Sequence, residues 1–221
     1  MWELIHTNIN VGHIFFMLSI LCARGLTPLR QNRAVFIDRA LRLKAGNSSP
    51  IINEGHLFDK EEETAILQAH NDSLELYHKF RAVKDGFISK QLNSALDILS
   101  NALRLYGPSH LFSSFNGGKD AVVIMHLLRA ATAKYSFDCG IIYRTQFVYF
   151  TVKGEFPEVL EHIKESEEMF TLKLHRYHNG ISQGLIDHIN SLDSQKTPAF
   201  VLGTRKGDPN CGDQQFFAPS R

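Results

Sequence analysis

The chain has 221 residues, 43% hydrophobic and 21% charged, with a formal net charge of +1. That composition suits one globular domain with its own core, and it argues against non-specific nucleic-acid binding, which needs a basic surface. The three cysteines, Cys22, Cys139 and Cys211, are odd in number and widely spaced. They imply neither a disulfide framework nor a zinc site and fit a reducing compartment.

In chain order, Val11 to Ala23 is mostly apolar but shorter than the ~20 residues of a bilayer span. Glu3 precedes it and no lysine or arginine does, so it makes a poor secretory signal. From Met17 onward Arg24, Arg30, Arg33, Arg39, Arg42 and Lys44 face a single acid, Asp38. An Arg-rich, acid-poor stretch of this kind is similar to a mitochondrial presequence, with Met17 as an alternative start; a poorly ordered tail fits equally well. Residues 1–50 are therefore read as a leader or tail and 51–221 as the domain. The expected compartment is the cytoplasm, with the mitochondrion as the alternative.

Gly46-Asn47-Ser48-Ser49-Pro50 reads as a linker. After it, Glu61-Glu62-Glu63 opens a long helical pattern carrying Leu67, Leu74, Tyr77, Phe80 and Val83. A second helix is expected from about Ser89 to Leu105, with Leu92, Leu96, Leu99 and Leu103 on its apolar face, stopped by Gly107-Pro108. Strands are then expected near 110–115, 147–152, 171–176 and 198–203, and helices near 119–134, 157–169 and 181–192. Such alternation with short connections predicts an α/β fold: a mostly parallel sheet with helices on both faces and ligands bound beyond the carboxyl ends of its strands.

The most informative stretch is Ser113-Ser114-Phe115-Asn116-Gly117-Gly118-Lys119-Asp120. A strand, a tight Gly-Gly turn and a helix starting at about Lys119 form an anion seat. The glycines let backbone N–H groups turn toward a ligand, the helix start adds about half a positive charge, and Lys119 adds a full one. Asn116-Gly117 is also a hairpin signal, but the helical pattern after it, with Val122, Val123, Leu127, Leu128 and Ala131, disfavours a second strand. A Walker A loop would need Gly at 113 and Ser or Thr at 120, where the chain has Ser and Asp.

This loop resembles the pyrophosphate loop (PP-loop) of the ATP-pyrophosphatase group, usually Ser-Gly-Gly-x-Asp-Ser, with Asn116 in place of the first Ser and Ala121 in place of the last. The Phe-Asn-Gly-Gly-Lys-Asp form resembles eukaryotic FAD synthase, the FMN adenylyltransferase built on a PAPS reductase-like domain. Leu202-Gly203-Thr204-Arg205-Lys206-Gly207-Asp208-Pro209 resembles that family's Gly-x-Arg-x-x-Asp-Pro loop, and Val148-Tyr149-Phe150 with Phe156-Pro157-Glu158 its middle strand and following helix. The resemblance covers about residues 88 to 221.

The resemblance implies a fold of the adenine nucleotide alpha hydrolase-like, PP-loop type, and transfer of AMP from Mg²⁺-bound ATP to FMN. It implies Asn116, Asp120 and Asp208 as catalytic residues, with Asp120 and Asp208 holding the Mg²⁺. Ser114, Phe115, Gly117, Gly118, Lys119, Gly203 and Arg205 are the implied nucleotide-contacting set. Implied partners are ATP and FMN, with flavoprotein clients beyond them; neither nucleic acid nor a membrane span is expected, and oligomeric state is not fixed. The plainer readings of single residues stay open. Asp120 can simply charge the first helical turn, Asp208 before Pro209 can form an Asx turn, and Arg205 and Lys206 can be solvated loop charges. His175 and His178 fall on opposite faces of an extended segment, which disfavours a shared metal.

The family pattern continues beyond Asp208-Pro209 into a Trp- and Arg-containing flavin-binding segment, whereas here Trp2 is the single tryptophan and Arg221 the last residue. The expectation is thus a chain truncated at its C-terminus. The alternatives to an active synthase are a truncated nucleotide-binding or regulatory form, or another PP-loop adenylating or sulfonucleotide enzyme.

Overall fold

The structure, a computed structural model, describes residues 16–22, 51–53, 58–192, 196–205 and 217–219. Strands are β1 (Phe16–Cys22), β2 (Ile51–Ile52), β3 (Leu111–Ser114), β4 (Ile141–Ile142), β5 (Gln146–Phe150), β6 (Lys173–Tyr177), β7 (Ala199–Arg205) and β8 (Phe217–Pro219). Helices are α1 (Lys60–Arg81), α2 (Gly86–Tyr106), α3 (Lys119–Cys139), α4 (Pro157–Met169) and α5 (Gly180–Ser191).

Local chemistry sets the helix ends. The Asp59 carboxylate accepts the Glu61 and Glu62 amides at 3.0 and 2.8 Å, with three glutamates in the first turn of α1. Asp85 does the same for Phe87 and Ile88 at 3.1 and 2.8 Å. Each such cap contributes about 1 kcal/mol. Pro157 takes the first position of α4, where its missing N–H is no loss. Gly140, left-handed at φ 69°, ends α3.

The main sheet runs in the order β6-β5-β3-β7-β1-β8. Its first four strands are mutually parallel, as expected from the alternation of strands and helices. β1 adds antiparallel to β7 and β8 parallel to β1. β2 and β4 form a separate parallel pair. The strand at Phe16–Cys22 lies inside the stretch read from sequence as a leader or tail, and neither it nor β2, β4 and β8 was anticipated.

Side chains alternate across the parallel strands, so the two faces are distinct. One face carries Leu111, Phe147, Tyr149, Ala199 and Val201 into a core with Leu96, Leu99 and Leu103 of α2, Ile124 and Leu128 of α3, and Ile163 of α4. α1 packs outside, against α3. The opposite face belongs to α5. Phe112 meets the His188 ring at 4.3 Å, and Gly184 lies so close to the Phe150↔Tyr177 pair that a Cβ there would be 2.7 Å from Tyr177 Cβ and 2.8 Å from Phe150 Cδ1. Helices thus cover both faces.

Candidate functional site

From β3 the chain passes to β5 and β6 on one side and returns to β7 on the other. The crevice beyond the carboxyl ends of β3 and β7 is therefore a topological switch point, where open α/β sheets bind ligands. A cleft of about 350 Å³ lies there, a volume in the range of small-molecule sites.

Ser114, Asn116, Gly118, Lys119, Asp120 and Gly203 all line this cleft. Ser114 ends β3, Lys119 and Asp120 open α3, and Gly203 comes from β7, so segments more than eighty positions apart converge. Ser113, on the same wall, donates its hydroxyl to the Val201 carbonyl at 2.8 Å and ties β3 to β7 directly beneath the site. Ala121, Ile124 and Leu202 complete the lining. Sequence reasoning did not assign Ser113, Ile124 or Leu202; the signal for Ile124 was its place one turn beyond Ala121, on the same helical face.

The turn itself is built from two constraints. Gly117 has φ 73°, and a Cβ there would stand 3.1 Å from His162 Cδ2 and 3.5 Å from Ile163 Cγ1 of α4. It needs glycine twice, for its dihedral and for its contact. Asn116 folds back, its Oδ1 accepting the Gly118 amide at 3.1 Å as in an Asx turn. That amide is consequently engaged within the loop. No side chain caps α3, and its first intrahelical bond runs from Val122 N–H to the Gly118 carbonyl at 3.0 Å. The amides of the first helical turn have no acceptor within the helix, as at any helix start, and the exposed Lys119 lines the cleft beside them.

Two members of the expected contact set sit elsewhere. Phe115 is 0% exposed, with its ring 6.0 Å from Phe147 and 6.4 Å from His162, and its amide bonded to the Val148 carbonyl at 3.0 Å. Its side chain anchors the loop in the core. Gly117 backs onto α4. Arg205 is the last residue of β7, and its side chain, like Asp208 altogether, lies outside the described residues. His175 and His178 are apart: His175 Nε2 meets Gln146 Oε1 at 2.9 Å, whereas His178 Nδ1 meets Thr151 Oγ1 at 2.9 Å.

The cleft offers a carboxylate, a side-chain amide and hydroxyls, all hard oxygen donors, and among the described residues no histidine or cysteine lines it. Among the described residues no group of three His, Cys, Asp or Glu side chains could hold a metal by itself. That donor set fits a magnesium ion shared between one or two carboxylates and phosphate oxygens, and it does not fit zinc. Among the described residues, no helix is long and apolar enough to cross a membrane.

Residues 110–196 match the family model of the phosphoadenosine phosphosulfate reductase domain. Over 128 residues the chain is 29% identical to a probable FAD synthase of Caenorhabditis elegans, covering 56% of this chain and 23% of that protein. It is 24% identical over 125 residues to a probable FAD synthase of Schizosaccharomyces pombe, covering 56% and 46%. The chain thus spans less than half the length of these curated relatives. Among solved structures it is similar to Candida glabrata FMN adenylyltransferase in complex with FMN and the ATP analog AMPCPP, at 16% identity and a TM-score of 0.46, over 57% of this chain and 47% of that one. It is also similar to yeast FAD synthetase in complex with FAD, at 19% identity and a TM-score of 0.47, over 57% and 48%. The chain is distantly homologous to the eukaryotic FAD synthases over about half its length.

Proposed function

We propose that the cleft at the ends of β3 and β7 binds Mg²⁺-bound ATP and that the chain is an FMN adenylyltransferase, forming FAD and pyrophosphate. The observation that carries this reading is the convergence of Ser114, Asn116, Lys119, Asp120 and Gly203 on one cleft at the start of an uncapped helix. In the reaction an oxygen of the FMN 5′-phosphate attacks the α-phosphorus of ATP, the new P–O bond forms, and the bond to the β-phosphate breaks. The attacking phosphate is largely dianionic at neutral pH, its second pKa being about 6. No strong general base is required, and catalysis comes from positioning and charge stabilisation.

In this reading the Lys119 ammonium and the first-turn amides of α3 hold the β- and γ-phosphates that leave. Asn116 gives its Oδ1 to the Gly118 amide, which leaves its NH₂ group to donate to phosphate, and the Ser114 hydroxyl is a second donor. Arg205 is assigned to the α-phosphate or the flavin phosphate, for which a planar fork is suited. Asp120, with Asp208, would hold the magnesium, whose contribution is to neutralise charge on the phosphate oxygens.

The test is FAD formation from FMN and Mg·ATP by the purified chain, beside an Asp120→Ala variant. Turnover that disappears with the substitution supports the reading. Absence of FAD together with Mg·ATP binding by the unsubstituted chain would reduce the function to nucleotide binding. Failure to bind Mg·ATP at all would overturn it.

A further inference from the structure

The chain contains two Asn-Gly dipeptides, Asn116-Gly117 before α3 and Asn179-Gly180 before α5. This is the pair in which an asparagine side chain is most open to attack by its own backbone, because glycine has no Cβ to shield the amide nitrogen. The two sites form a matched comparison. Both asparagines are exposed, and both glycines have positive φ, 73° and 77°. They differ in what the side chain does.

At Asn116 the Oδ1 atom accepts the Gly118 amide at 3.1 Å. That bond closes only when Cγ is folded over the Asn116–Gly117 peptide, and it draws electron density off Cγ. The Gly117 N–H, half-buried against α4, donates to no acceptor among the described residues, so its nitrogen is not committed elsewhere. At Asn179 the polarity is reversed. Its side chain caps no amide of α5, and Nδ2 donates to Asp187 Oδ2 at 3.4 Å. A carboxylate thus stands beside the group on which negative charge would have to develop.

We propose that Asn116 is a site of spontaneous, backbone-mediated deamidation that the folded loop promotes and that changes the charge of the cleft as the protein ages. The Gly117 nitrogen, its proton lost to solvent hydroxide, attacks Asn116 Cγ. The N–Cγ bond forms, the Cγ–Nδ2 bond breaks, and ammonia leaves a cyclic succinimide. The tetrahedral intermediate carries its negative charge on Oδ1, where the Gly118 N–H already points, as a donor in an oxyanion hole does. Water then opens the ring at either carbonyl, giving aspartate or isoaspartate. Either product replaces an NH₂ donor with an acceptor-only carboxylate on the wall that Lys119 shares. Isoaspartate also adds a methylene to the main chain of the turn. The proposal rests on the geometry of the loop and does not depend on the adenylyltransferase reading.

The experiment incubates the full chain at mildly alkaline pH, folded and in unfolding urea. Both sites are followed by mass spectrometry of the tryptic peptides Leu105–Lys119 and Tyr177–Lys196, with fragment ions separating Asn179 from Asn190. Isoaspartyl methyltransferase labelling is the second readout. In the folded chain Asn116 should convert about fivefold faster than Asn179, the factor that one neutral hydrogen bond supplies. In urea the two rates should be alike, since both are Asn-Gly. Asn116→Gln, whose longer side chain closes the ring poorly, should remove conversion from the first peptide. An Asn116 that stays intact in the folded chain, an Asn179 that converts as fast or faster, or a ratio that persists in urea would each overturn the assignment.

Discussion

Replacing Gly117 by alanine separates backbone strain from contact at the turn before α3. Gly117 and Gly154 both have positive φ, 73° and 84°, but a Cβ at Gly154 meets nothing within 4 Å, whereas one at Gly117 stands 3.1 Å from His162 Cδ2. Gly154→Ala should therefore cost only the left-handed strain, about 1–2 kcal/mol. Gly117→Ala carries the same strain plus a local overpacking of about 1 kcal/mol, the low end of the usual range because a half-buried imidazole can give a few tenths of an ångström. The expected total is about 2–3 kcal/mol. Urea unfolding followed by far-UV circular dichroism measures both, with unchanged m-values as the condition for comparing them. In the Gly117→Ala/His162→Ala double variant the excess over Gly154→Ala should vanish, which reads as a coupling energy of about 1 kcal/mol. If Gly117→Ala costs no more than Gly154→Ala, the loop is not held against α4 and the argument fails.

Three further outcomes are expected. Lys119→Met, at an exposed position, should leave the urea midpoint unchanged while weakening Mg·ATP about 10–100-fold in isothermal titration; an unaltered affinity would remove Lys119 from the site. Asp59→Ala and Asp85→Ala should each lower stability by about 1 kcal/mol, since each removes the carboxylate oxygen that accepts from two amides at a helix start, and unfolding midpoints equal to the parent would contradict the capping geometry. Burial pulls His188 down to about 4, as it does His126, whereas both protonate near 6.5 when unfolded. The unfolded chain binds more protons between those values, so the His contribution is whole above pH 6.5 and is lost as pH falls toward 4. Thermal midpoints from pH 7.5 to 4.5 should fall more steeply for the parent chain than for His188→Gln.

In the parallel half of the sheet β3, β5 and β7 were legible as short runs rich in apolar residues, whereas β6, Lys173 to Tyr177, is largely polar and was legible only from its place in the alternation of strands and helices; α4 fell at its expected bounds because Pro157 marks its start. α3 runs past the expected end to Cys139, since Gly140 is the residue that breaks it. The pair β2–β4 is two residues per strand, too short for any period to show. β1 escaped because an unbroken apolar run of this length reads as a leader as readily as a strand. At the site, the glycines and Lys119 announced the loop. Nothing in their spacing announced that Asn116 turns back on Gly118, that Phe115 enters the core, or that β7 is the neighbour of β3. Those depend on contacts across the sheet, such as Ser113 to Val201, which local pattern cannot express.

The near-contact of Gly184 with Phe150 and Tyr177 has a consequence for the order of assembly. The two rings belong to successive strands joined through α4 and stand opposite one another only once β5 and β6 have paired. Until then there is no seat for the bare backbone of α5, and the helix has no large side chain at that position to search for one. Docking of α5 at this point is therefore expected to follow the pairing of β5 with β6, and a methyl group at residue 184 is expected to speed unfolding more than it slows folding.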